Sequence, residues 1–342
     1  MGDDGRGERL PDPPLVTDEV VALVGTEVTY RAPEPLGAPS IRHYALAVGA
    51  DPDRWCHEAF PTLVCDTTQL TGRRRPDASG YLGHTWDLPF PGPTTMVRGG
   101  NDYTFHHPIR PDDVIETVWR LDDIVERSDA AGRPMAIVTT TATYTRPDGT
   151  VLATDTETLI HRATERPPPS TVGPDPDLPP TVPANGPTTL HATPPSVGDR
   201  LPDLVRPLGP VELMAYGAAT WDWHRLHHDP DWARAAGFDR PVVDGQLLGA
   251  LLAHQVTAWA PPGARLTRLR FRNRAPVLSG STVVCGATVA AVGADGSVTV
   301  DQEIRVDDHL VVGPARSVIH LPAADPTSAP ATTSSTTSAT IG

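Results

Sequence analysis

Residues 220–245 read TWDWHRLHHDPDWARAAGFDRPVVDG, and their interpretation decides how the rest of the chain is read. Ionisable side chains are crowded here, directly ahead of the apolar run Gln246–Trp259. In that run Leu247, Leu248, Leu251, Leu252, Val256 and Trp259 recur at helical spacing, which predicts a helix made for burial. Asp222 and His227 are five residues apart, about 140° round an ideal helix axis, so they meet only if the chain leaves the helix between them. A new helix starting with Asp229 as N-cap and Pro230 at its first position supplies the break. A carboxylate and an imidazole brought together in a loop can hold a water and move protons near neutral pH. Gly245 opens the apolar helix, so its N–H and the helix dipole are available to a developing oxyanion.

Other readings of these residues stay open. Spacing alone also fits an Asp/His pair that is surface charge, and His224, His227, His228 and Asp229 are all possible metal ligands. A second signal lies just beyond the helix, where Arg268, Arg270, Arg272 and Arg274 alternate with Leu269, Phe271, Asn273 and Ala275. A strand here puts the arginines on one face, suited to a phosphorylated ligand or an acidic carrier, or paired with neighbouring acids. His106, His107 and Arg110 read as structural.

Outward from this centre the chain shows two similar halves. Each has small helices, then an apolar helix, then antiparallel strands ending in a hairpin. In the first half, helices near VVALVG (20–25) and ending at Gly49 precede strands at 102–105, 114–121 and 136–146, and Pro147-Asp148-Gly149 turns the chain back into VLATDTETLIHR. In the second, residues 197–220 read as helix-like, and strands follow at 266–272, 281–291, 297–306 and 317–321. The expected division is a disordered N-terminus (1–17), a first half (18–165), a proline-rich linker (166–195), a second half (196–324) and a low-complexity tail (325–342).

Composition narrows the function. The 342 residues carry a formal net charge of −14, which argues against nucleic acid or an anionic membrane as main partner. The chain contains no lysine, so Schiff-base, P-loop and lysine-base chemistries are excluded. Its three cysteines, Cys56, Cys65 and Cys285, lack the spacing of a zinc site or a disulfide framework. The polar, acidic N-terminus is unlike a targeting segment, and the expectation is a soluble, cytoplasmic protein.

Residues 215–248, AYGAATWDWHRLHHDPDWARAAGFDRPVVDGQLL, resemble the MaoC-like (R)-specific enoyl-CoA hydratase signature. That signature runs Ser-Gly-Asp, one residue, Asn-Pro, an aliphatic residue and His, with a His-Gly further on. VGDRLPDLVRPLG and FRNRAPVLSGSTV fit the same family. VRGGNDYTFHHPIRPDDVI and TYTRPDGTVLATDTETLIHR resemble the companion non-catalytic domain of fatty-acid-synthase-like dehydratases.

The resemblance implies an α+β double hot-dog, two antiparallel sheets each wrapped round a long helix and joined in one chain, the N-terminal helix starting at Pro61. It implies Asp222 and His227 as the catalytic pair, Gly245 as oxyanion donor, and Asp244, His224, Arg268, Arg270, Arg272 and Arg274 as substrate-binding residues. Cys56 stands five after Asp51, where a catalytic His would be, so the first half is expected to be inactive. The implied substrate is an acyl-CoA or acyl-carrier-protein thioester, 2-enoyl or (3R)-3-hydroxyacyl, with no metal or other cofactor, and a homodimer is possible. His224-Arg225 in place of Asn-Pro resembles the mitochondrial-type dehydratases and mesaconyl-CoA hydratases. Trp221, Trp223 and Asp244 depart from the signature and motivate a second reading, a catalytically altered hot-dog that binds acyl thioesters or serves as a partner subunit in a polyketide-like pathway.

Overall fold

The computed structural model describes residues 14–71, 76–129, 132–163 and 194–322. Most of the proline-rich segment, the tail and the first thirteen residues lie outside them.

β-Branched residues alternating with small ones form the strands. The run Pro134–Thr145 is buried at every second position, as expected of a strand with one face on a core. The first half comprises α1 (Asp18–Val21), β1 (Glu27–Arg31), α2 (Ala38–Val48), α3 (Leu63–Asp66), β2 (Thr94–Phe105), β3 (Glu116–Ser128), β4 (Pro134–Thr145) and β5 (Val151–Ala163). The second comprises β6 (Leu204–Leu208), α4 (Pro210–Thr220), α5 (Pro230–Ala235), α6 (Gly245–Trp259), β7 (Arg265–Arg272), β8 (Ser281–Val292), β9 (Ser297–Val306) and β10 (His309–His320).

Among the described residues ten strands join one antiparallel sheet in the order β1-β3-β4-β5-β2-β7-β10-β9-β8-β6. That order is the same five-strand pattern written twice, head to head. The halves meet where β2 pairs with β7, with Asp102 opposite Arg270. Helix α6 is buried from Gln246 to Thr257, on its polar positions as well as its apolar ones, which is the signature of a helix enclosed by its sheet. Its buried amides are satisfied internally, Gln255 donating to the carbonyls of Pro202 and Cys285.

Three expectations need correction. Among the described residues the N-terminal half has no long central helix: the segment from Pro61 forms the four-residue α3 and a 3-10 turn at Thr68–Thr71. Thr62, Thr67 and Thr68 crowd that turn with stiff β-branched side chains, which weakens a longer helix. Residues 204–208, read as helix-like, form the edge strand β6, where Pro207 is tolerated because β6 has a neighbour on one side only. The last strand runs from His309, well before 317.

Candidate active site

Helix α4 ends at Trp221, whose left-handed backbone (φ 60) turns the chain out of the helix. The turn folds back tightly: a Cβ on Gly217 would lie 2.7 Å from the carbonyl oxygen of Asp222, so position 217 has no room for one. The break is therefore at Trp221, earlier than the Asp229-Pro230 start predicted from sequence. A short 3-10 turn, Arg225–His227, follows, and Asp229 then caps α5 through the amides of Asp231 and Trp232, with Pro230 at its first position.

This path brings Asp222 and His227 together with Asp244. One ligand-type atom from each of the three lies within 4.8 Å of the others. They line a cavity of about 10 Å³ with Leu213, Tyr216 and Leu247, roughly the space of one water. Asp222 and Asp244 are both only 7% exposed. Burial raises the Asp222 pKa; His227 opposes the shift and the Asp244 charge adds to it. One Asp222 oxygen accepts from the His224 amide at 2.9 Å. The Nδ1 of His227 is 2.6 Å from the carbonyl of Val242, and because a carbonyl only accepts, that nitrogen carries the proton and Nε2 is left for the cavity.

Asp244 caps α6, accepting from the Gln246 amide at 2.8 Å. The intervening Gly245 amide is among those at a helix start that have no intrahelical partner. A Cβ at Gly245 would fall 2.6 Å from the side-chain Nδ2 of Asn273, which packs the helix start against the residue that follows β7. It would also lie 3.5 Å from Cδ of Arg98 on β2. Burial works against the Arg98 charge, yet Tyr81, Asp244, Tyr103 and Asp155 around it raise its pKa, and it pairs with Glu157. This cation offsets the extra carboxylate that Asp244 places beside the helix start.

His224 takes a supporting position. Its Nδ1 accepts from the Leu226 amide at 3.0 Å, and burial lowers its pKa to about 4, so it is neutral at pH 7. The four-residue histidine cluster does not converge: His228 is exposed against the Trp223 carbonyl, and Asp229 is taken by α5 and Arg225. Arg225 also lies 4.4 Å over the Trp232 ring.

The arginines alternate as a strand should, with Leu269 and Phe271 buried and Arg268, Arg270, Arg272 and Arg274 exposed on the outer face. None of the four lines the cavity. Arg268 forms a two-pronged pair with Asp102 at 2.9 and 2.7 Å, and Arg270 approaches the same carboxylate at 3.9 Å.

Sequence reading missed the contribution of the first half. Asp66, at the end of α3, is 2% exposed and accepts from the hydroxyls of Tyr44 and Tyr103. Burial pushes its pKa up to about 7, partly countered by the tyrosines, and Asp244 adds to the rise. A charged residue inside LVCD, an apolar run otherwise, was the available signal.

The halves also differ at matching points. The Ala59 amide donates to the Ile109 carbonyl and the Val243 amide to that of Val277, both at 2.7 Å. Two residues on stand Pro61 and Gly245, and proline has no N–H to offer an oxyanion. Cys56 donates back to its own turn at the Asp53 carbonyl.

Comparison with known proteins agrees with this architecture. Residues 190–309 match the family described as MaoC like domain, and residues 22–155 match the FAS1-like dehydratase domain region. A mitochondrial 3-hydroxyacyl-acyl-carrier-protein dehydratase of Arabidopsis thaliana is 33% identical over 88 residues, 26% of this chain; the chain thus spans about half (52%) of that relative's length. A mesaconyl-C(4)-CoA hydratase of Chloroflexus aurantiacus is 26% identical over 275 residues, covering 80% of this chain and 83% of its own. A solved MaoC-like dehydratase superposes with a TM-score of 0.66 at 22% identity, over 88% of this chain and 99% of its own, a likeness of fold. Most of the chain thus falls within two family matches, a FAS1-like dehydratase domain region followed by a MaoC like domain.

Proposed function

We propose that this protein is a hydro-lyase that adds water reversibly to a 2-enoyl thioester, giving the (3R)-3-hydroxyacyl thioester, on a CoA or acyl-carrier-protein arm. The observation that carries this reading is the convergence of Asp222 and His227 on a cavity the size of one water, lined also by Asp244 and Leu247, which flank the start of α6 at Gly245. The names of the relatives support the reaction class.

In this reading His227 acts as the base, presenting its Nε2 to the water, and Asp222, whose pKa burial raises, acts as the acid. The water oxygen bonds to C3 while Nε2 takes its proton. The C2=C3 electron pair moves towards the thioester carbonyl, whose developing negative charge is met by the Gly245 N–H and the Arg98 cation. Asp222 then delivers its proton to C2. Dehydration reverses each step. One such site per chain follows from Cys56 and Pro61 in the other half. The outer arginine stripe is where the phosphates of CoA or an acidic carrier would dock, and a soluble, cytoplasmic homodimer completes the proposal.

A panel of 2-enoyl-CoA thioesters from short to long chain, followed by loss of enoyl absorbance, tests this. Hydration of at least one, with (3R) product, is expected; turnover of none would contradict it. Asp222, His227 and Asp244 are also near enough together to ligate a cation. Stoichiometric metal in the active protein, retained through turnover, would favour a metal-held water over the direct pair.

A further inference from the structure

Helix α6 runs fifteen residues in the second half, whereas α3 keeps four in the first. The segment from Cys65 to Thr68 is bonded to the other half at two places. At one, the side-chain amide of Gln246, in the first turn of α6, donates to the Cys65 carbonyl at 2.9 Å. At the other, the Thr68 hydroxyl donates to the Trp221 carbonyl at 2.7 Å and lies 3.2 Å from that of Thr220, which the Thr67 hydroxyl also reaches at 3.2 Å.

These carbonyls belong to the turn that delivers Asp222. Trp221 is the residue with positive φ, and its carbonyl leads directly into the Asp222 peptide. A non-glycine residue holds such a conformation only where its surroundings impose it. Cys65, Thr67, Thr68, Thr220 and Gln246 are all buried, so water does not readily replace a partner lost by these residues, whereas Trp221 is 42% exposed. The segment between the two tethers includes Asp66, itself fixed by Tyr44 and Tyr103.

We infer that Thr68 is a positioning residue: it holds the Trp221 turn, and through it the Asp222 carboxylate, while the Gln246–Cys65 bond holds Gly245 against the same segment. Thr68 and Cys65 thereby set the distance between the acid/base pair and the oxyanion donor without themselves touching the substrate. This rests on the hydratase reading given above.

The test is steady-state kinetics of Thr68→Val and Thr68→Ser on the accepted enoyl thioester, with Asp222→Asn in parallel. Misplacement by an ångström lowers rate on the order of 10²-fold. Thr68→Val is expected to lower kcat by about 10- to 100-fold with KM within about threefold, and Thr68→Ser to restore kcat to within about threefold of wild type. Gln246→Met, which cuts the second tether, is expected to show the same kcat-selective loss and serves if Thr68→Val does not melt cooperatively. Wild-type kcat in Thr68→Val, or in Gln246→Met where that serves, or a loss that serine does not restore, would overturn the positioning role. Wild-type turnover by Asp222→Asn would instead overturn the hydratase reading itself.

Discussion

Asp222 and Asp244 face the same small cavity, buried alike and with carboxylate oxygens within 4.8 Å, and the charge of Asp244 adds to the rise in the Asp222 pKa. Asparagine caps a helix as well as aspartate does, so Asp244→Asn removes that charge and leaves α6 started. The alkaline limb of the kcat/KM profile is expected to move to lower pH in this variant, because Asp222, the proton donor, then ionises more readily. A limb that stays in place or moves upward would show that Asp244 does not act on Asp222.

Gly217 and the Asp222 carbonyl make a second, purely steric prediction. A Cβ at 217 would stand 2.7 Å from backbone oxygen, which cannot swing away as a side chain can. Gly217→Ala is expected to lower kcat by about tenfold or more by displacing Asp222, while an alanine in α4 favours the helix itself. Wild-type turnover in a folded Gly217→Ala protein would contradict the geometry.

Asp66 gives a prediction for stability. Its folded pKa, about 7, lies above the ordinary value of 3.8, so the folded protein binds the extra proton between those values. Its contribution is fully present below about pH 4 and is lost as pH rises through about 7, at up to about 1.4 kcal/mol per pH unit. Asp155, also raised to about 7, acts in the same direction; His161, His224 and His254, lowered to about 4, act oppositely below about pH 6.5. Asp66→Asn isolates the one group: its stability relative to wild type is expected to increase from pH 5 to pH 8 in denaturant melts. A pH-independent difference would mean Asp66 is ionised throughout.

The legible parts of the fold were those with a strong local pattern. The alternation in IVTTTATYT, the turn at Asp148-Gly149 and the apolar run after Gly245 each specify their element, and the structure has them. The two edge strands were not legible. β1 is mostly exposed and β6 contains Pro207, so neither shows the half-buried alternation that marks a strand. The site divides in the same way. Asp222, His227 and Gly245 lie within one short stretch, and the need for a chain break near them was legible from spacing, although its place at Trp221 was not. Arg98, Asp66 and Thr68 come from the other half, and only tertiary packing brings them near Gly245, Asp244 and the Trp221 turn.

The central claim is that Asp222 and His227 together handle the proton traffic of water addition. Single-turnover hydration of the preferred enoyl thioester by Asp222→Asn and His227→Ala measures this most directly, with circular dichroism to show native folding. Each variant is expected to lose about 10²-fold or more in rate, and the double variant to lose little beyond the worse single one, because the two act on one water. Near-native rates in either folded single variant would contradict the account.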